Sequence, residues 1–186
     1  MTPPDQPDVL SDAGAALRFA ARHGADVRFD HRRRRWLLWR EHRWKPDNDG
    51  AIMRLALNSA RMWQKEAVDL PSSADRDAVL KFALRLERRD GLQNMLALAT
   101  TMKPIADTGE HWDADPWLLG VPNGVVDLRT GRLRNGRPDD GITMQAGTPY
   151  DPDARGPRWA QFISEIFGGD QSLAEFVHRA VGYSLT

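Results

Sequence analysis

The residues with the types and spacing for chemistry are few. Asp113 and Asp115 stand two apart, as Asp-x-Asp. On an apolar strand, with a later acid, such a pair holds two divalent metals for nucleotidyl transfer. Here the pair lies in a polar stretch directly before Pro116, where turn acids are the expected reading. Asp139-Asp140 and Asp151-x-Asp153 read as turn acids too. Gly168-Gly169 precedes Asp170 and lacks the Lys-Ser/Thr that grips a triphosphate and its magnesium. It reads as a helix boundary. His23, His31, His42, His111 and His178 are scattered, with no i, i+4 pair to seat a metal. No serine sits in a nucleophile elbow. An independent small enzyme acting on nucleic acid is therefore the weakest of three functional readings.

The remaining chemistry is binding. Arg32 to Arg35 form an unbroken basic run, followed by Trp36, Trp39, Arg40, Trp44 and Lys45. Basic side chains neutralise phosphates and flat rings stack bases, so this mixture suits a single strand. A plain hairpin with core tryptophans and a solvated arginine turn is its ordinary reading. Arg129, Arg132, Arg134 and Arg137 form a second basic group, with a solvated hairpin end as its ordinary reading. The whole chain has 26 basic and 26 acidic residues, so any basic site must be local. With no cysteine there is neither a disulfide framework nor a Cys-based zinc site. No apolar run approaches the ~20 residues of a membrane span, and no signal pattern opens the chain.

The elements that position these residues follow in order. Residues 1–10, rich in Pro and Asp, read as a disordered leader, and residues 11–186 as the folded domain. Ser11 is a good N-cap, with Leu10 as its staple, for a helix over Ala13 to His23 ended by Gly24. Leu17, Ala20 and Ala21 are expected inward. Alternation then predicts strands at Val27 to Phe29, Trp36 to Arg40 and Arg43 to Lys45. Trp36 and Leu38 should share one face, and Leu37 and Trp39 the other, with Trp39 presented near Trp44.

Three helices come next. The first is capped by residues within Asp47 to Gly50 and packs through Ile52, Leu55, Ala56, Met62 and Trp63. Pro71-Ser72-Ser73 separates it from a second, carrying Val79, Phe82, Ala83 and Leu86. Asp90 and Gln93 suggest a capping box for a third, with Leu92, Met95, Leu96, Ala99 and Met102 inward. Lys103 to Pro116 is a polar connector, either a packed loop or a hinge between two subdomains.

The last third is again strand-like. Trp117 to Val121 and Val125 to Leu128 flank Pro122-Asn123-Gly124, and Asn-Gly signals a hairpin. Thr130-Gly131 precedes a short piece, Arg132 to Arg134, and Ile142 to Met144 is a further candidate strand. Pro157 opens a helix whose Trp159, Phe162, Ile163, Ile166 and Phe167 mark one buried face. Asp170 caps another, with Leu173, Phe176, Val177, Ala180 and Val181 at the same spacing. The fold expected is α+β, mostly α: five or six helices with two small antiparallel β-hairpin units.

The ordered strings LLGVPNGVVDLRTGRL, ITMQAGTPYDPDARGPRW and FISEIFGGDQSLAEFVHRAVGYSLT resemble one family. It is the segment just upstream of the helicase core in phage and plasmid primase–helicases of the P-four type, related to the poxvirus primase–helicase. Upstream, ARHGADVRFDHRRRRWLLWREHRW is similar to the start of that domain, although Glu41-His42 replaces the family's Gly-containing turn. The resemblance runs from about Leu17 to Thr186. It implies a non-catalytic replication module between a primase and a superfamily-three helicase core, acting as a collar in a ring. The implied partners are single-stranded or forked DNA, the helicase core and primase modules of the same polypeptide, and further copies in a homo-hexamer. ATP and magnesium belong to the downstream core, with no cofactor in this chain. The implied setting is the cytoplasm of a host cell carrying a phage, prophage or plasmid, with no membrane partner. A scaffold that touches only protein is the alternative.

Overall fold

Local capping starts the first helix. In the computed structural model, which describes residues 10–185, α1 spans Asp12–His23 and the Ser11 hydroxyl accepts from the Gly14 N–H at 3.1 Å. β1 (Val27–Asp30), β2 (Arg35–Arg40) and β3 (Arg43–Pro46) follow. They form the meander expected from the alternation, with β1 and β2 antiparallel and Phe29 opposite Trp36. The expected leader lies outside the described residues, apart from Leu10. The chain divides into two compact units. One holds residues up to 40 together with 45–110; the other holds 41–44 and 111 onward.

The first unit is built on helices. α2 (Ala51–Val68), α3 (Ser73–Leu86) and α4 (Arg89–Ala99) pack with α1. Asp47 accepts from the Ala51 and Ile52 N–H groups at 2.8 and 3.1 Å, satisfying donors that a helix start leaves unpaired. Ser72 caps α3 through the Asp75 N–H. The core joins Phe19, Val27, Leu38, Ile52, Ala56, Trp63, Phe82, Leu86, Met95 and Ile105, with Phe29 and Trp36 against it. Trp63 meets Phe82 edge-on at 5.2 Å between centroids.

Three readings in this unit are corrected. Leu17 is 54% exposed and Ala21 is exposed; Ala15, Ala16, Phe19 and Ala20 face inward instead. The inward face of α1 thus carries three alanines and Phe19, and the helix packs with α4. No capping box forms at Asp90, because α4 starts two residues earlier than such a cap requires and its N-cap is Arg88. The connector carries a strand, β4 (Ala106–Asp107), parallel to β1, which places Ile105 fully inside. The sheet order is β3-β2-β1-β4. Gly24 ends α1 as expected, with φ −65°, and a Cβ there would lie 2.5 Å from Pro104 Cγ. Close approach, rather than left-handed backbone, makes that site need glycine.

The second unit holds an antiparallel sheet of β5 (Leu118–Val121), β6 (Gly124–Asp127) and β7 (Arg132–Arg134). The hairpin forms, but its two-residue turn is Pro122-Asn123, since Val121 pairs with Gly124. Gly124 has φ +151°, and a Cβ there would fall 2.3 Å from the Arg134 carbonyl oxygen. Ile142 to Met144 is not a strand. It is held by single bonds: the Trp44 N–H donates to the Ile142 carbonyl at 2.8 Å, and Arg43 donates to the Thr143 carbonyl at 3.0 Å.

Two helices end the chain, α5 (Pro157–Ile166) and α6 (Gln171–Tyr183). Asp170 accepts from the Ser172 and Leu173 N–H groups at 2.9 and 3.2 Å, as a cap should. A hydrogen bond from the Ser172 hydroxyl at 2.8 Å, together with those two, holds its carboxyl below the usual carboxylate range. The buried faces expected of both helices are not buried. Ile163 alone among the ten marked residues is inside; Trp159, Phe162 and Phe176 are 42%, 48% and 61% exposed. Helical periodicity reports an apolar face, and among the described residues nothing covers this one.

Candidate nucleic-acid interface

The arginine run is organised by a buried acid. Arg32 to Arg34 lie in the turn between β1 and β2, with Arg34 at φ +52°. Asp30, at the end of β1, is fully buried. Its carboxylate accepts from the Arg33 backbone N–H at 3.0 Å and from the Arg33 guanidinium at 3.2 Å. Arg35 Nε lies 3.5 Å away as an ion pair. Arg33 also donates to the Gly109 carbonyl at 3.0 Å. Gly109 has φ +83°, and a Cβ there would meet Asp30 Oδ1 at 2.1 Å. A buried carboxylate needs such partners, because an unpaired charge away from water costs several kcal/mol. So two of the four arginines serve Asp30, while Arg32 and Arg34 are exposed.

The aromatic half of this group separates. Trp39 is half-buried, and its backbone N–H donates to the Asp26 carbonyl. Arg40 is exposed, with a long bond to the Trp39 carbonyl at 3.3 Å. Lys45 is half-buried. Trp44 corrects the expectation of a presented ring. It is 1% exposed, donates its indole N–H to the Pro138 carbonyl at 2.9 Å, and meets Trp112 edge-on. Pro138 and Trp112 lie far along the chain from Trp44, so a local reading could not reveal its burial.

The second basic group lies on and after the β6–β7 hairpin. Arg134 makes a bidentate pair with Asp140 at 2.7 and 2.8 Å. Partial burial pushes the Asp140 carboxyl up, but the Arg134 bonds and the Arg137 backbone N–H outweigh it and hold the group below its ordinary range. The same pairing raises Arg134 above the usual arginine value. Arg132 and Arg137 are exposed. The Arg129 guanidinium lies over the Trp117 ring, 5.0 Å from its centroid, with Asp115 at 3.8 Å. Trp117, 40% exposed, is more than the start of an apolar strand. Its position beside a turn with Arg129 was the signal available.

The acids considered for metal have other work. Asp113 accepts from the Thr143 and Met144 N–H groups at 2.7 and 3.0 Å and from the Thr143 hydroxyl. Asp115 accepts from the Trp117 N–H at 2.9 Å. Asp115 stabilises a local turn and Asp113 ties its loop to the segment at Thr143 and Met144, which is the loop reading of the Asp-x-Asp step. No helix among the described residues is long and apolar enough to cross a membrane.

Each unit thus carries a basic group with both exposed arginines and structural ones. Compared with known families, residues 16–168 match the family described as D5 N terminal like. The chain belongs to this family. It is therefore a domain of phage and plasmid primase–helicases, and its setting is DNA replication. No curated protein matches it. The D5 N-terminal-like match contains both arginine groups and Trp117, and stops at Gly168, between α5 and α6.

Proposed function

We propose that this D5 N-terminal-like domain is a non-catalytic module of a primase–helicase. It links the primase to the ring helicase, contacts single-stranded or forked DNA, and helps organise a hexamer. The observation that carries the DNA contact is the Asp30-anchored turn. It holds Arg32 and Arg34 outward on a fixed backbone, with the order of side chains set by a buried charge. Arginines held this way lose little freedom on meeting phosphates, which lowers the cost of binding. Arg40, and separately Arg137 in the second unit, add exposed positive charge.

A second reading, a scaffold that binds only the helicase core or another replication protein, has its own support. Trp159, Phe162, Ile166, Leu173, Phe176 and Val181 are 42% to 61% exposed on α5 and α6. Contiguous apolar surface of this kind marks interaction sites. Fluorescence anisotropy with labelled single- and double-stranded oligonucleotides across a salt series separates the two. Binding that weakens steeply with salt supports the DNA-contacting module. No binding at low salt leaves the protein-only scaffold.

A further inference from the structure

The second unit carries a different kind of contact from the arginine turn. Trp117 immediately precedes β5, and its carbonyl accepts from the Leu128 N–H at 2.9 Å, which extends the β5–β6 ladder by one step. Arg129 is the next residue. Its backbone N–H donates to Asp127 Oδ1 at 2.8 Å, fixing the turn. Asp115 accepts from the Trp117 N–H and also lies 3.8 Å from the Arg129 guanidinium. Ring and guanidinium are thereby held together from both strands, 5.0 Å apart, while two-fifths of the Trp117 side of the pair stays open to water.

We propose that the Trp117–Arg129 pair is a stacking site for an unpaired nucleobase of a single strand. The inference rests on the DNA-contacting reading above and adds to it a site of its own. An exposed cation–π pair contributes only about 0.5–1 kcal/mol, so it does not explain why a large indole ring remains uncovered. Covering the ring with a base is worth more, about 1–3 kcal/mol. An arginine plane is itself a surface on which bases stack. Charge points the same way. Arg129 and Arg132 face Asp115 and Asp127 across this part of the sheet, which leaves little net charge for phosphates. The site therefore reads the flat base, not the backbone. Bases inside a duplex are already stacked, so a single strand is the ligand.

The test is anisotropy with the full chain and two labelled strands of equal length, one oligothymidine and one abasic. Trp117→Ala should weaken oligothymidine binding roughly 5- to 150-fold, with the dependence on salt unchanged. Trp117→Phe should keep most of the affinity. The abasic strand should bind the wild-type chain more weakly than oligothymidine and be indifferent to Trp117→Ala. If oligothymidine binds but Trp117→Ala changes its affinity by less than about twofold, or the two strands bind alike, this inference fails alone. If no single strand binds the wild-type chain at low salt, this inference and the DNA-contacting reading fail together.

Discussion

The arginine turn of the first unit and the arginine hairpin of the second solve one problem differently. In the turn, four consecutive guanidinium groups would repel one another, and a fully buried Asp30 engages two of them. In the hairpin the arginines are spread along the chain and two of the four are matched locally: Arg134 by Asp140, Arg129 by Asp115 and the Trp117 ring. A charge run is thus not a binding site by its own count. What matters is which members have an internal partner, and a single buried carboxylate decides that for the turn.

Removing that carboxylate gives a large expected effect. Asp30→Ala should lower the unfolding free energy by about 3 kcal/mol, because breaking a buried pair costs about 3–5 kcal/mol and the arginines regain some water. A urea titration measures it. A loss below about 1 kcal/mol would mean the turn does not depend on Asp30, and the contrast with the hairpin would vanish.

A second prediction compares the first unit's core with α5. Trp63→Ala should cost about 3–5 kcal/mol, as large-to-small changes in a core do. Phe162→Ala, at a site 48% exposed, should cost less than about 1 kcal/mol in the isolated chain. Equal losses would show that something covers α5 in solution.

The smallest effect is a dependence on pH. The Asp140 carboxyl is held below its ordinary value in the folded chain. Its contribution is therefore complete above the unfolded value, about 3.9, and is lost as pH falls through the lowered folded value. Arg134→Ala should be less stable than the wild type near neutral pH, with the difference shrinking in acid. A difference that stays constant down to the acid limb would remove the Asp140 pairing from the account.

Much of this was legible in the sequence because the cues are local. Ser11 and Asp170 announce helix starts that form, and alternation located β1, β2 and β3 within a residue or so. The illegible parts depend on distant partners. Asp30 before His31 and four arginines looks like one more turn acid; its burial needs Gly109 and the rest of the fold. Trp44 looks like Trp39 until Pro138 and Trp112 close over it. β4 is two residues long and parallel to β1, too short for any pattern. On α5 and α6 the periodicity gave helices but not what meets their apolar faces.

The most direct test of the central claim is the salt dependence of single-strand binding for three chains: wild type, Arg33→Ser, and the triple variant Arg32→Ser, Arg34→Ser, Arg40→Ser. Each phosphate contact to a single strand contributes about −0.7 to the slope of log affinity against log salt. The triple variant should therefore flatten that slope by about 2, while Arg33→Ser, whose guanidinium is committed to Asp30 and Gly109, should leave it nearly unchanged. An unchanged slope in the triple variant would contradict the claim that the exposed arginines of the anchored turn contact DNA.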